Sequence, residues 1–319
     1  MGRDETERLY RRFAAREARG RSPLYEQLAL GVAEDPDIAW LLDQVPPLKR
    51  QPNLLFASVR FLGGMGTDYG SFRSFVLDRK DEVVDLLVHR RTQTNEVGRC
   101  AILLPVLAQI EGPLSLIEVG ASAGLCLLPD RYRYRYGDRS VGDSGATVLL
   151  ECRAIGPVPV PERLPDVVWR RGIDVSPIDI TDEEDVRWLE ACVWPDDGER
   201  ASRLAAALDA ARLEPPVVER GDAVERTADV VSQAPAGTTI VVFHSALVPY
   251  LTDAARRDFE QLVRDLPVTW VSNEGAGVVS SLTGPRVDVA AERGAFVLAE
   301  GATVLAMSDP HGAWLEWIG

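Results

Sequence analysis

The residues with the clearest chemical potential lie at 116–124, where the sequence reads LIEVGASAG. This stretch predicts a short buried strand that runs into a turn of small residues and then into a helix. Such a turn lets a ligand lie against the backbone, and the amide groups at the start of the next helix point toward that ligand. The sequence indicates a site for a nucleotide-like molecule that includes Glu118, Gly120, Ser122 and Gly124. A tight turn without a ligand is the alternative.

Acidic and polar side chains also follow the other predicted strands. Asp138 comes after a strand predicted at residues 131–136, about twenty positions beyond the glycine turn, where a carboxylate accepts hydrogen bonds from ribose hydroxyls. A solvated turn aspartate is the alternative. Ligands on parallel sheets bind at the carboxyl ends of the strands, so we expect one cleft to gather these residues. They are Glu118, Gly120, Asp138, Asp222, His244 and Glu274.

Two histidines are candidates for a general base. His244 follows the most β-rich run of the chain, at residues 238–243, and an imidazole with an ordinary pKa of about 6.5 exchanges protons near neutral pH. His311 lies in a predicted turn beside Asp309 and is the second candidate. A histidine that only satisfies hydrogen bonds in the core is the alternative for each.

Five further side chains are candidates for contacts with a substrate. Each also has a structural interpretation. A side chain near a predicted helix start can cap that helix, and the carboxylate at position 174 can form a turn. The aromatic residue at position 250 can pack in the core. The five are Asn95, Glu96, Asp174, Tyr250 and Glu274.

The elements that position these residues change in type near residue 93. Residues 1–92 contain helical patterns and no strand-period run, which predicts an all-helical N-terminal region. Residues 93–319 alternate strands with helices, which predicts a doubly wound, Rossmann-like α/β sheet with a C-terminal antiparallel hairpin. The long gap between Asp138 and Gly221 requires an insertion at about 143–215 or a different second strand. In the second case, Glu151 replaces Asp138 as the acidic group.

Composition restricts the partners. The net charge of −14 argues against a nucleic-acid backbone or an anionic membrane as the main partner. The four cysteines stand far apart without a C-x-x-C pair, so we expect no metal site and reduced core thiols. A charged N-terminus predicts no signal peptide, and no apolar run approaches the roughly 18 residues of a membrane span. We therefore expect a soluble cytoplasmic protein with a small-molecule substrate.

The E-x-G-x-S-x-G pattern of residues 118–124 resembles the first motif of class I S-adenosylmethionine-dependent methyltransferases. The Gly-Asp-Ala turn at residues 221–223 is similar to the acidic turn after their third strand, where the carboxylate meets the adenine amino group. His244 falls where their fourth-strand motif lies beside the methyl acceptor. The resemblance implies a Rossmann-like methyltransferase fold, S-adenosylmethionine as cofactor, and methyl transfer to a small molecule that the sequence does not identify.

Other stretches resemble a bacterial domain-of-unknown-function family over nearly the whole chain. That family carries no established activity, so this resemblance supports the fold more than the function. The stretches are Gln93-Thr94-Asn95-Glu96, the glycine turn, Arg171-Gly172-Ile173-Asp174-x-x-Pro177, Trp194-Pro195, and His311-Gly312 with Trp314 and Trp317.

Ser122 stands where the methyltransferase motif has its middle glycine, and an ordinary backbone angle at Ser122 would make the replacement acceptable. The sequence G-A-S-A-G also resembles the nucleophile elbow of α/β-hydrolases. An α/β-hydrolase is therefore the main alternative interpretation. A hydrolase triad would combine Ser122 with Asp288 or Glu274 and with His311. A non-catalytic ligand-binding or regulatory protein on the same fold is the third interpretation.

Overall fold

A computed structural model describes residues 3–318, apart from the side chain of Arg3. The chain forms two compact units. The helical unit consists of the described residues up to Thr94 together with Asp182–Ser202, and the sheet unit consists of Asn95–Thr181 together with the described residues from Arg203 onward. The predicted helical N-terminus is confirmed, because residues 3–94 contain helices and no strand.

The helices carry the labels α1 to α12 in chain order. A short π-helical segment continues the first helix, and the ninth helix begins in the helical unit and ends in the sheet unit. They are α1 (Arg3–Phe13), α2 (Pro23–Glu34), α3 (Pro36–Asp43), α4 (Pro52–Phe61), α5 (Tyr69–Asp78), α6 (Lys80–His89), α7 (Cys100–Leu107), α8 (Glu183–Ala191), α9 (Gly198–Ala211), α10 (Ala223–Ser232), α11 (Asp253–Asp265) and α12 (Pro285–Arg293).

Local sequence signals determine where the helices of the helical unit begin. Pro23 starts α2, where the missing N–H group costs nothing, and the Ser22 side chain accepts a hydrogen bond from the backbone of the first turn. Asp35 caps α3 in the same way. Phe56 of α4 lies at the centre of an aromatic core, with ring centroids 4.7–6.2 Å from those of its four neighbours. These neighbours are Tyr10, Phe13, Tyr25 and Phe72.

The sheet unit contains a nine-stranded sheet and a separate three-stranded sheet. The strands are β1 (Leu114–Val119), β2 (Arg133–Tyr136), β3 (Arg139–Val141), β4 (Leu149–Glu151), β5 (Arg153–Ile155), β6 (Val167–Asp174), β7 (Val218–Arg220), β8 (Thr239–Ser245), β9 (Thr269–Gly275), β10 (Phe296–Glu300), β11 (Thr303–Ser308) and β12 (Trp314–Trp317). The large sheet has the order β5-β12-β11-β10-β9-β8-β1-β6-β7, and the small sheet has the order β3-β2-β4.

The large sheet is mostly parallel. Strands β7, β6, β1, β8 and β9 run in one direction, whereas β10, β11 and β12 pair antiparallel with their chain neighbours. The predicted mixed α/β class with antiparallel strands near the C-terminus is therefore confirmed. The carboxyl ends of the parallel strands, together with that of β11, lie at one edge of the sheet.

The strand predicted at residues 131–136 is present as β2, but its predicted place beside β1 is wrong. The neighbour of β1 is β6, whereas the Arg-Tyr repeat forms β2 in the small sheet. The tyrosines point inward there, and their hydroxyls donate to carbonyl groups: Tyr134 to Pro129 at 2.6 Å and Tyr136 to Ala101 at 2.6 Å. Asp138 therefore lies in the exposed turn between β2 and β3, away from the carboxyl edge of the large sheet.

The two faces of the large sheet bury different side chains, because side chains alternate along a strand. One face packs on α10 and α11 and carries Ile117, Val242 and Trp270 in the main apolar core. Glu118 is aligned with Phe243 of β8, so it points to the opposite face from His244, the next residue along that strand. The period-two pattern thus separates two residues that the sequence prediction had placed in one cleft.

Candidate functional site

The glycine turn at the end of β1 has a left-handed backbone at three alternate positions. The φ angles are +79° at Gly120, +54° at Ser122 and +72° at Gly124. A Cβ atom on Gly120 would lie 2.9 Å from the side chain of Leu247, so both the angle and the close contact require glycine there. Ser122 does not meet the condition of an ordinary backbone angle that the sequence analysis set for this replacement. A left-handed serine carries backbone strain.

A second strained residue lies on the neighbouring strand connection. Ala246, directly after β8, has a φ angle of +57°. Ser122 and Ala246 are the non-glycine residues with positive φ in the described chain, and they follow two strands that pair with each other. Strain in adjacent loops at the carboxyl edge of a parallel sheet is typical of a ligand site.

Hydrogen bonds from β6 hold Ser122 in this conformation. The backbone N–H of Ser122 donates to Asp174 Oδ2 at 2.8 Å, and the backbone N–H of Ser176 donates to Asp174 Oδ1 at 2.8 Å. The carbonyl of Ser122 accepts from the backbone N–H of Ile178 at 3.1 Å. Asp174, predicted as a substrate contact, is therefore the carboxylate at the end of the strand next to β1.

Asn95 fixes the glycine turn from the other side. Its Nδ2 atom donates to the carbonyl of Ala121 at 2.9 Å, and its Oδ1 atom accepts from the backbone N–H of Leu125 at 3.0 Å. The side chain is buried, so these bonds are shielded from water. Asn95 thus spans the turn as a positioning residue in this structure.

Glu118 is the buried acid of the site. It is 4% exposed, and its Oε2 atom has no hydrogen-bond partner in the part of the chain that the structure describes. Burial raises the pKa of Glu118 well above its usual range; the nearby Cys126 and Asp174 act in the same direction, whereas the Arg99 guanidinium opposes them. A buried acceptor without a partner is a group that a ligand can satisfy.

Arg99 crosses the carboxyl edge beside Glu118. Its Nη1 atom donates to the carbonyl of Ser245 at 3.1 Å, and its Nε atom donates to the carbonyl of Pro310 at 2.9 Å. The side chain is 5% exposed and lies over the ring of Phe296. Sequence reasoning missed Arg99, although a single arginine in front of the apolar run 100–108 was a usable signal.

Glu96 and His311 lie at the same edge. Glu96 Oε1 accepts hydrogen bonds from the backbone N–H of Gly98 at 3.0 Å and from Arg203 Nε at 3.2 Å. A Cβ atom on Gly98 would lie 2.2 Å from the carbonyl oxygen of His311, so the turn after β11 packs directly on this segment. The backbone N–H of His311 donates to Asp309 Oδ1 at 2.8 Å.

His244 lies on the other face of the sheet, with both ring nitrogens engaged. The Trp270 indole N–H donates to His244 Nε2 at 3.0 Å, and an indole nitrogen is only a donor. The proton of the ring is therefore on Nδ1, which donates to Glu274 Oε1 at 2.7 Å. His244 is fully buried against Phe259 and Trp270, so this geometry does not favour the predicted role as a base.

Glu274 has a structural role in the same network. Besides His244, its Oε1 atom accepts from the backbone N–H of Leu247 at 2.8 Å and of Val248 at 3.4 Å. These bonds hold the loop that contains the strained Ala246. Glu274 therefore holds the loop after β8 in position.

Three further residues named in the sequence analysis lie in other elements of the sheet unit. Asp222 follows β7 at the carboxyl edge and caps α10 by accepting from the backbone N–H of Val224 at 2.8 Å. Tyr250 lies in a 3₁₀ turn and is 59% exposed. Glu151 forms an ion pair with Arg135 on the small sheet, so it does not serve as the alternative ribose contact.

The hydrolase triad is not assembled. The Ser122 hydroxyl is buried and forms no hydrogen bond within residues 3–318, so no histidine of these residues is bonded to it. Asp288 is exposed on α12, and Glu274 is bonded to His244. The turn therefore has the Gly-x-Ser-x-Gly sequence of a nucleophile elbow, but its serine is not bonded to a histidine base among the described residues.

A family model described as an uncharacterized protein conserved in bacteria (DUF2332) matches residues 7–317. The chain belongs to this family. The predicted resemblance to a bacterial domain-of-unknown-function family is thereby confirmed for DUF2332. No curated protein and no solved structure matches this DUF2332 chain. Within residues 3–318, its helices are too short or too polar to span a membrane.

Proposed function

We propose that this chain binds S-adenosylmethionine at the carboxyl edge of the large sheet and transfers its methyl group to a small-molecule acceptor. The observation that carries the proposal is a row of three carboxylates at the carboxyl ends of three adjacent strands. They are Glu118, the penultimate residue of β1, Asp174, the last residue of β6, and Asp222, two residues after β7. Glu118 precedes the left-handed turn, and Asp174 is bonded to it.

The strand order supports a Rossmann-like sheet. In order of their appearance in the chain, the five parallel strands are arranged 3-2-1-4-5, and the order reverses between β1 and β8. Doubly wound sheets bind nucleotides in the crevice at this reversal. The two strained residues, Ser122 and Ala246, lie on the two sides of that crevice.

Asp174 takes the ribose position in this proposal, in place of Asp138. Its two oxygens each accept one backbone hydrogen bond, and each retains a lone pair for a ribose hydroxyl. Asp222 keeps the adenine contact that the methyltransferase resemblance implies. Glu118 faces the cationic end of the ligand, where a positive charge would satisfy its unpartnered oxygen.

The chemistry is a direct displacement at the methyl carbon. The carbon–sulfur bond breaks as the bond to the acceptor forms, and an oxygen or nitrogen acceptor releases a proton to a base. His311 is the histidine at the carboxyl edge, so we assign this base role to it. The left-handed turn and Asn95 position the cofactor, which contributes to rate through alignment.

Calorimetry with S-adenosylmethionine and with S-adenosylhomocysteine tests the binding step. The expected result is saturable heat with one ligand molecule per chain for at least one of the two. Folded protein that gives no heat with either compound excludes the proposal.

A non-catalytic ligand-binding protein is the second candidate, because His244 has no free ring nitrogen for proton transfer. Methyl-labelled S-adenosylmethionine incubated with the protein and a bacterial small-molecule extract separates the two functions. Label in an extract compound supports the transferase, whereas saturable binding without any labelled product supports the non-catalytic protein.

A further inference from the structure

A second candidate site lies in the helical unit, independent of the carboxyl edge. Arg60, in the last turn of α4, is half-buried, and its buried Nη1 atom has no hydrogen-bond partner among the described residues. No Asp or Glu of residues 3–318 forms an ion pair with it. A cation withdrawn from water is stable when an anion compensates it, so Arg60 indicates a missing negative group.

The position of Arg60 is well defined by contacts on both sides. Trp194 Nε1 donates to Asn53 Oδ1 of α4 at 3.0 Å, and Arg187 of α8 donates to the carbonyl of Phe61 at 3.2 Å. These bonds attach the two ends of α4 to α8 and the loop that follows it. Arg60 therefore lies on a helix that is held by contacts at both ends.

The surroundings of Arg60 are rich in positive charge. The Cys192 thiol, at the end of α8, lies within electrostatic reach of the guanidinium groups of Arg60, Arg90 and Arg200. Burial raises the pKa of Cys192 to about 12 in spite of these cations, so the group is a neutral thiol near pH 7. The positive charge around it is consequently not balanced by a thiolate.

The acids of the region are engaged with other groups. Arg90 pairs with Glu184 at 2.7 Å and with Asp185 at 2.5 Å. Asp197 lies 3.7 Å from Arg200. Asp196 is hydrogen-bonded to Ser22 and makes no ion pair with Arg60. Among Arg60, Arg90 and Arg200, Arg60 is thus the arginine without an acidic partner in the described residues.

Neutral polar groups also lie near the Cys192 thiol. The backbone N–H of Gln93 bonds to the Cys192 sulfur, and the adjacent Thr92 has a buried hydroxyl without a partner. Tyr25 lies within electrostatic reach of Arg60 and Cys192. A guanidinium group matches the paired oxygens of a carboxylate or a phosphate group.

We propose that the helical unit binds a small oxyanion, a carboxylate or a phosphate group, where α4 meets the end of α8, with Arg60 as its main ligand. The buried position of the Nη1 atom restricts the ligand to one that inserts a single anionic group. The guanidinium recognises two oxygens of that group in its planar fork.

The test measures the melting temperature of the full chain in inorganic phosphate and in acetate, at constant ionic strength set with chloride. A ligand that binds only the folded state raises the melting temperature with its concentration. We expect this rise for wild type, and about 10- to 100-fold weaker binding for Arg60→Met, since a charged hydrogen bond is lost. A response to phosphate alone identifies a phosphate source, and a response to acetate identifies a carboxylate source.

Arg91→Met is the matched control, because Arg91 is an exposed arginine of the same unit. It should retain the response of the wild type. Arg60→Met keeps the volume of the side chain and removes an uncompensated buried charge, so we expect it to fold. Alkylation of Cys192, followed by peptide mass spectrometry, provides a second readout in which the anion slows modification of the wild type and leaves Arg60→Met unchanged.

The proposal is overturned if phosphate and acetate have no effect beyond that of chloride. It is equally overturned if Arg60→Met and wild type respond alike, or if Arg91→Met loses the response as fully as Arg60→Met does.

Discussion

The carboxylate of Asp174 accepts a hydrogen bond from the backbone N–H of Ser122 at 2.8 Å. The end of β6 therefore holds the strained residue of the glycine turn after β1. The proposed function assigns the ribose contact to the same carboxylate, so in that proposal one side chain both shapes the turn and binds the ligand.

Asp174→Asn should weaken the binding of S-adenosylmethionine by about tenfold or more, since one charged acceptor for a ribose hydroxyl is lost. It should also lower the free energy of unfolding by about 1–2 kcal/mol, because an amide nitrogen replaces an oxygen that accepts a backbone N–H. Calorimetry and urea denaturation measure the two effects.

Asp138→Asn is the control for this prediction, since Asp138 lies in an exposed turn of the small sheet. It should leave both the affinity and the free energy of unfolding unchanged. An equal loss of affinity in the two variants would return the ribose contact to Asp138 and remove Asp174 from the site.

Ser122→Gly should be tolerated, because φ at this position is +54°. A left-handed non-glycine residue costs about 1–2 kcal/mol, and glycine costs about 0.5–1 kcal/mol in chain entropy. We expect a net gain of up to about 1 kcal/mol in the free energy of unfolding, measured by urea denaturation. Ser122→Ala keeps the strained angle and serves as the control, so it should gain little.

The chemical reactivity of Ser122 distinguishes the proposed methyltransferase from a serine hydrolase. A fluorophosphonate should not label Ser122, because its buried hydroxyl has no activating histidine. Stoichiometric labelling of wild type that is absent in Ser122→Ala would establish a nucleophilic serine and contradict the proposed function.

The two histidines should give opposite results. His244→Ala should lower the free energy of unfolding by about 2–4 kcal/mol, because it creates a cavity and leaves the Trp270 N–H without an acceptor. His311→Ala should change stability little, since its turn is held by the backbone and by Asp309. Among folded variants, we expect labelled methyl transfer to be lost with His311→Ala and ligand binding to be retained. Full transfer activity in His311→Ala would remove this residue from the mechanism.

The buried Glu118 should make the free energy of unfolding decrease as pH rises. Its pKa is raised in the folded state by burial, so the unfolded chain loses this proton first, near its ordinary pKa of about 4.3. The stabilisation is complete below that value and is lost progressively as pH rises toward the raised folded pKa. Urea denaturation of wild type and Glu118→Gln between pH 4 and 8 should show the variant gaining relative stability as pH increases.

The same carboxyl group should couple ligand binding to proton release. A cationic ligand favours the ionised form of Glu118, so the affinity for S-adenosylmethionine should increase with pH in wild type. Calorimetry in buffers of different ionisation enthalpy counts the released proton. A pH-independent affinity in wild type, equal to that of Glu118→Gln, would place Glu118 outside the ligand contacts.

The parts of the fold that follow from local signals were predictable. Apolar residues at helical spacing identified the helical N-terminus, and the small residues after Glu118 identified the turn at the end of β1. The strand β6 was not recognised as the neighbour of β1 because it reads VVWRRGID, with two arginines and a glycine in its centre. Gly172 is required there, since a Cβ atom would lie 2.7 Å from Ala121.

The composition of the site was predictable in part. Strand-end position correctly indicated a carboxyl edge, yet it does not say which face a side chain occupies. A shift of one residue places His244 in the core and Glu118 on the opposite face. Arg99 reaches the edge from before α7, and its bonds to Ser245 and Pro310 join residues far apart in the chain.

The helical unit is made of two chain segments, and this has a consequence for synthesis on the ribosome. Helix α4 packs on α8, and Trp188 of α8 lies 5.6 Å from the ring of Phe61. When residues 3–94 have emerged, α8 is still to be translated, and so is the first part of the sheet unit between them. The part of α4 that packs on α8 therefore stays uncovered during this interval, and exposed apolar surface of this kind makes a nascent chain prone to aggregation.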